Sequence, residues 1–364
     1  MKTVKELSLG LLSELAILPS VPFYESLIQA KICKILNQYS ISYFFDSFGN
    51  IIAEIGQESD HLDPIAFVAH MDHPGFEIER NLDGKLIAFP KGGIPQFSLN
   101  HETKMFSFNE LGERIRCTIS PNSENPKTVI VNSEDLIEIG APLTFDLIDF
   151  QIKGDKISMR SADDFAGCAA ILTNLIENLG KVERKIFGVF TRAEEVGLIG
   201  ARLIARDEII PKNSIVVSVE TSSIIPVIKQ GDGPVIRTGD ATYTFNSFAE
   251  NLLRVAANQL KDRDESFMFQ RSLMSAGTCE ASAFAANGYL TTGIAFPLGH
   301  WHNAKTSIPD INGGIDAENI SLNDFLNGVL LMIECSKLSI SQSEDPIAQK
   351  LKHVPEDFES RLTS

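Results

Sequence analysis

The sequence predicts an α/β fold interrupted by a small β-rich insert. Three observations lead there. Short apolar runs at 64–69, 185–191, 214–219 and 290–296 alternate with helix-spaced segments, as buried strands joined by helices do. Between about residues 75 and 158 the alternation stops, and Gly, Pro and Asn punctuate short β-rich pieces with no long helical period. The helix–strand pattern resumes at Asp163. The chain therefore divides into an α/β body at 1–74 and 159–340, an insert at 75–158 and a polar tail at 341–364.

Taken in order, Leu7, Leu11, Leu12, Leu15 and Leu18 recur at helical spacing and predict a first helix stopped near Pro19. Lys2 and Lys5 ahead of an apolar stretch invite a signal-peptide reading. Glu6 and Glu14 interrupt that stretch, and no small-x-small cleavage site follows. A second helix is expected over 23–39, then strands at 42–45 and 50–54 around an Asp46–Gly49 turn. In the insert, β pieces are expected at 85–89, 105–108, 114–119, 128–131 and 144–152. Phe165, Cys168, Ala169, Ile171, Leu172, Leu175 and Ile176 then mark an amphipathic helix over 164–179 ended by Gly180. Further helices are expected near 196–206, 246–260, 279–287 and 322–336, and the tail from 341 reads as loosely held.

The chain is 43% hydrophobic and 22% charged, so its 364 residues can build a large core, with a length that suits about two domains. Forty-eight acidic against 32 basic residues give a formal charge of −16, which argues against nucleic acid and anionic membranes as partners. No apolar run approaches the ~20 residues of a membrane span. Cys33, Cys117, Cys168, Cys279 and Cys335 are scattered, odd in number and never in a CxxC pair. That argues against a disulfide framework and a thiolate zinc site, and for a reducing, cytoplasmic compartment.

The chemistry sits where the apolar runs end. Run 64–69 leads into His70-Met71-Asp72, run 185–191 into Glu194-Glu195, run 214–219 into Glu220, and run 290–296 into His300-Trp301-His302; Asp163-Asp164 opens a helix. In open α/β sheets ligands gather at the carboxyl ends of strands. Taken singly, each feature has a bland explanation: a structural histidine, a capped helix start, a solvated charge pair. Together they form a donor set of imidazoles and carboxylates suited to zinc, cobalt or manganese. Two such ions need a bridging carboxylate, which a central Asp supplies, and a free carboxylate nearby can act as a base. On an extended segment Asp72 shares a face with His70 and can orient its ring.

Ala69-His70-Met71-Asp72, Ser161-Ala162-Asp163-Asp164-Phe165-Ala166-Gly167 and Ala193-Glu194-Glu195-Val196-Gly197-Leu198-Ile199-Gly200-Ala201 resemble the M42 metallo-aminopeptidases, the glutamyl-aminopeptidase-like and tetrahedral (TET) enzymes related to the M28 and M20 zinc peptidases. Gly231-Asp232-Gly233-Pro234-Val235-Ile236, Gly277-Thr278 and the His302 segment match in order, so the resemblance spans roughly residues 7 to 335. It implies an α/β/α sandwich of the zinc-peptidase type with a barrel-like insert. The insert would mediate dimerisation, and dimers would assemble into a hollow dodecamer. It also implies two metal ions. His70 and Glu220 would hold one, Glu195 and His302 the other, with Asp163 as the bridge. Glu194 would be the general base, Asp72 the support of His70, and a cis peptide would precede Asp164. The expected activity is release of N-terminal residues from peptides.

Three positions depart from the family pattern. Glu220 stands where the aminopeptidases usually carry Asp; Glu is commoner in carboxypeptidase-like relatives. Cys279-Glu280 replaces a common Asp-Ala near the substrate, and the last motif reads Gly299-His300-Trp301-His302-Asn303, which leaves His300 as an alternative ligand to His302. Glu220 thus keeps open a dipeptidase, carboxypeptidase or deacylase on the same scaffold. A metal-binding oligomer without turnover is a third reading, against which the retained Glu194 argues.

Overall fold

The computed structural model describes residues 2–305 and 313–363. The chain enters through α1 (Val4–Ala16) and α2 (Ser26–Gln38), then forms β1 (Ser42–Phe45), β2 (Ile51–Ile55) and β3 (Ile65–His70). Thr3 and Glu6 close a reciprocal capping box on α1, which starts the helix where the leucine pattern begins. Next come β4 (Gly75–Leu82), β5 (Lys85–Lys91), β6 (Thr103–Phe108), β7 (Arg114–Pro121), β8 (Val129–Asn132) and β9 (Pro142–Phe145). These six close into a barrel in the order β4-β5-β8-β7-β6-β9. Its interior takes Phe76 and Ile78 from β4, Ala88 from β5, Met105 from β6, Ile119 from β7, Val129 and Val131 from β8, and Leu143 and Phe145 from β9.

Beyond the barrel lie β10 (Gln151–Lys153), β11 (Lys156–Met159), α3 (Ala162–Asn178), β12 (Ile186–Thr191), α4 (Ile199–Arg206), β13 (Ile215–Ser223), β14 (Val235–Gly239) and α5 (Ser247–Arg263). The chain continues with β15 (Gln270–Leu273), α6 (Glu280–Ala286), β16 (Leu290–Leu298), β17 (Glu318–Ser321) and α7 (Leu322–Ser336). An eight-stranded sheet runs β1-β2-β12-β3-β13-β16-β14-β15. Its four central strands are mutually parallel, with β2 and β14 antiparallel on either side. Alternate residues of the central strands enter two cores. Ile65, Phe67, Ala69, Val217 and Phe190 pack with α1, α3, α5 and α7. Ala66, Val68, Val189 and Val216 pack with α4 and α6. Helices therefore cover both faces, which is why these strands read as unbroken apolar runs.

Several elements differ from expectation for identifiable reasons. The piece expected at 144–152 is two strands, because the chain changes sheets there. β9 closes the barrel against β4 and β6, whereas β10 pairs with β11, and β11 with β17, in a separate sheet. The strand expected to stop at 219 continues to Ser223, because β16 pairs with it through Leu298. The sequence pattern does not predict β4, β11, β14, β15 or β17, whose polar residues hide the strand alternation. The tail from 341 forms α8 (Pro346–Lys352) and α9 (Glu356–Thr363). Asp345 caps α8 and also accepts from Asn251 of α5, which ties that part of the tail down. No helix among the described residues is long and apolar enough to cross a membrane.

Candidate metal centre

The four parallel strands deliver their carboxyl ends to one edge. His70, the last residue of β3, is registered with Thr191, so the turn carrying Glu194 and Glu195 begins beside it. Ser218 is registered with Val68, which sets Glu220 two residues on, level with His70. Asp163 lies at the mouth of α3 with non-helical torsions, and the Asp163–Asp164 peptide is cis. His302 sits in a tight turn (Trp301–Asn303) after β16, with φ of +51°.

The side chains converge. His70 Nε2 lies 3.3 Å from Asp163 Oδ1, 3.8 Å from Glu220 Oε1 and 3.9 Å from Glu194 Oε2. His302 Nε2 lies 3.2 Å from Glu195 Oε2 and 3.8 Å from the other Asp163 oxygen, Oδ2. The donor atoms of His70, Asp163 and Glu195 fall within 4.8 Å of one another. His300 faces elsewhere: its Nδ1 donates to the Ala317 carbonyl at 2.9 Å. Asp72 does something different from the expected carboxylate–imidazole support. The ring's Nδ1 donates to the Asp72 main-chain oxygen at 3.0 Å, while the carboxylate stands 3.7 Å off. That carboxylate instead accepts the amides of Glu194 and Glu195, at 3.0 and 3.1 Å, and so holds the glutamate pair.

Burial and crowding shape the proton affinities. Burial pushes Glu194 well above the usual carboxylate range, and Glu195, Glu280 and Asp72 add to the shift against His70. Burial likewise raises Glu220, with Glu280, Glu194 and Asp163 contributing, and pushes Asp72 up to about 7. Burial would lower His70, but Glu194, Asp163 and Asp72 outweigh it and hold the imidazole high. Burial would raise Asp163, yet its contact with His70 leaves it lowered. So much buried negative charge is costly unless cations neutralise it. Asp163 Oδ1 and Glu195 Oε1 are buried without a hydrogen-bond partner, as oxygens that await a metal would be. Two imidazoles with four carboxylates, and no thiolate among the contacts above, fit a hard-to-borderline divalent ion.

Sequence reasoning missed several residues around this set. Buried His73 donates from Nδ1 to the Asp163 carbonyl at 2.6 Å. Glu25 accepts from Arg192 and from the Ala193 amide, bracing the turn before Glu194. Buried Glu280 takes hydrogen bonds from Thr191 and Ser218, so the Cys279-Glu280 departure lies beneath the site; Gly277 and Thr278 line its cavity. Glu318 accepts the amides of Asp163 and His302. Glu25 and Glu318 come from segments remote from the motifs, and His73 adjoins the His70 motif but meets Asp163 only through the fold. Glu280 alone is flagged by the sequence, as a departure from the family pattern. A cavity of about 980 Å³ opens over the site, walled by Leu198 and Leu203 of α4 and its cap, Ala283 of α6, and Arg237.

The model of the M42 glutamyl aminopeptidase family matches residues 131–316, which contain Asp163, Glu194, Glu195, Glu220 and His302. The chain belongs to the M42 family. It is accordingly a peptide-bond hydrolase of a metal-dependent family. A protein of Acetivibrio thermocellus that carries an aminopeptidase name is 24% identical over 310 residues, covering 79% of this chain and 86% of its own. An aminopeptidase from the archaeon Desulfurococcus kamchatkensis superposes with a TM-score of 0.77 at 20% identity, over 97% of this chain and 99% of that one. The TET1 peptidase of Pyrococcus horikoshii superposes at 0.75 with 23% identity, over 91% and 99%. At these identities the structural likeness speaks for the fold: this M42 chain shares the mixed α/β architecture of the TET peptidases.

Proposed function

We propose that the protein is a two-metal aminopeptidase that releases N-terminal residues from peptides. The observation that carries this reading is the division of Asp163: Oδ1 faces His70 and Oδ2 faces His302. One carboxylate presenting an oxygen to each of two imidazole-bearing sets suits a bridge between two ions. His70 and Glu220 would hold one, Glu195 and His302 the other, with zinc the leading choice and cobalt or manganese alternatives. Bound divalent ions acidify a water and polarise the scissile carbonyl. Glu194, of high proton affinity, would take the water's proton and pass it to the leaving amine. Asp72 would keep Glu194 facing the cavity through its hold on the two backbone amides.

The wider reading is an α/β/α sandwich of the zinc-peptidase type at 1–74 and 159–340, with 75–158 as a dimerisation module. The two core clusters and the closed barrel support it. Assembly of dimers into a dodecamer draws support from the Pyrococcus horikoshii TET1 peptidase, described as assembling into a tetrahedron or a large octahedral shell. Leu111 and Leu136 at the barrel surface, 81% and 85% exposed, offer apolar contact area. Five free cysteines fit a reducing cytoplasm.

A panel of amino-acyl fluorogenic amides, each with its N-acetylated counterpart, tests the reading on metal-loaded full-length protein. Turnover confined to free amines is expected. Equal turnover of the acetylated forms overturns it. With short peptides, release only where the C-terminal carboxylate is free points to the carboxypeptidase or dipeptidase chemistry that Glu220 keeps open, and release of acetate points to a deacylase.

A further inference from the structure

Glu318 lies on β17, opposite Met159 of β11, and is fully buried. Its Oε2 accepts the Asp163 amide and its Oε1 the His302 amide, both at 3.0 Å. Neither amide belongs to a regular element, since Asp163 has non-helical torsions and His302 a left-handed φ. No lysine, arginine or histidine is ion-paired with Glu318 among the described residues. A carboxylate placed beside an already acidic cluster, with two amides as its hydrogen-bond partners, is an expensive way to satisfy two N–H groups. A neutral side chain would do so at less cost if stability were the only requirement.

We propose that Glu318 is a positioning residue that sets the spacing of the Asp163 and His302 metal donors. The two oxygens of one carboxylate are a fixed, short distance apart. An amide held on each ties the mouth of α3 directly to the turn after β16, beside the link that His73 makes between the Asp163 carbonyl and Asn303 Oδ1. Asp163 Oδ2 and His302 Nε2 are thereby kept 3.8 Å apart, ready to share an ion rather than collapse onto each other. The extra negative charge also favours the cation that the donors bind. The assignment rests on Asp163 and His302 being metal ligands.

Full-length Glu318→Gln and Glu318→Asp test it. Gln keeps one acceptor but turns an NH2 toward the other amide; Asp is too short to reach both. Zinc affinity by chelator competition should fall about 10- to 100-fold in each. The cobalt absorption spectrum should change, and kcat should fall more than KM rises. The metal-free melting temperature should stay at or above the wild-type value, whereas a merely structural glutamate would lower it. Asp163→Ala separates the two layers. If it keeps wild-type zinc affinity, the ligand reading fails and the role of Glu318 with it. If it loses zinc while Glu318→Gln binds zinc as wild type does, or loses affinity only in step with a lower metal-free melting temperature, the role of Glu318 alone is overturned.

Discussion

The main-chain oxygen of Gly93 accepts the Nδ1–H of His302 at 2.7 Å, so a loop of the barrel region orients an imidazole of the α/β body. The preceding Gly92 has φ of +104°, and a Cβ there would lie 3.1 Å from Pro74 Cβ and 3.2 Å from Glu195 Cβ. Gly92→Ala should strain the loop by about 1–3 kcal/mol and swing the Gly93 carbonyl off the ring. Zinc affinity should drop, with far-UV circular dichroism unchanged. Wild-type affinity would show that His302 is oriented without this loop.

Glu194 and Asp163 should respond differently to removal. Glu194→Gln keeps the size of the side chain and should retain wild-type metal content while losing about 10²–10⁴-fold in kcat. Asp163→Ala removes both facing oxygens and should lose metal outright. Metal analysis with steady-state kinetics on the same preparations decides it; equal metal loss in the two variants would mean the roles are assigned wrongly.

Asp72 acts on the glutamate turn through its carboxylate and on His70 through its carbonyl. Asp72→Asn leaves the carbonyl in place but turns an NH2 against one of the two amides. The expected result is a drop in kcat of about 10- to 100-fold with near-normal metal content. Metal loss without a matching loss of kcat per bound metal would place the carboxylate's role at the His70 ring after all.

Removal of metal should reverse the pH trend of stability. Burial holds Asp72 at about 7 and Glu194 and Glu220 well above the usual carboxylate range. Groups raised on folding contribute stability that is complete below their unfolded values, about 4 for carboxylates, and lost as pH rises through the folded ones. His70 and His302, raised by neighbouring carboxylates against the opposing effect of burial, act in the same sense; Asp163, lowered by His70 against its burial, opposes it. The metal-free melting temperature should therefore fall from about pH 5 to about pH 8, and saturating zinc should restore it most at the upper end, where ligands are deprotonated. A metal-free protein that grows more stable across this window would contradict the burial argument.

The legible part of this site was the part carried by strand ends. His70 ends one fully buried parallel strand and Glu195 lies in the turn after another, and such strands announce themselves as apolar runs. Glu220 was legible as a residue but not as a position inside its strand, since the extension depends on pairing with β16. Glu318, Glu25, His73 and Gly93 were not legible. Each reaches the site through tertiary contacts, and Glu318-Asn319-Ile320-Ser321 reads locally as ordinary polar alternation. The barrel was legible only through the family resemblance and not in the local pattern, because pairing of β4 with β9 joins residues far apart in sequence.

That same pairing bears on how the chain can fold. β3 and β12 are parallel neighbours, yet the whole barrel lies between them in sequence. Crossing such a stretch as disordered chain would carry a closure entropy that grows with its length. Phe76 of the first barrel strand faces Leu143 of the last, so the barrel's entrance and exit adjoin. To the α/β body a folded barrel is a short connection, whatever number of residues it contains. Insertions in its hairpins leave the path from His70 to Asp163 no longer than before.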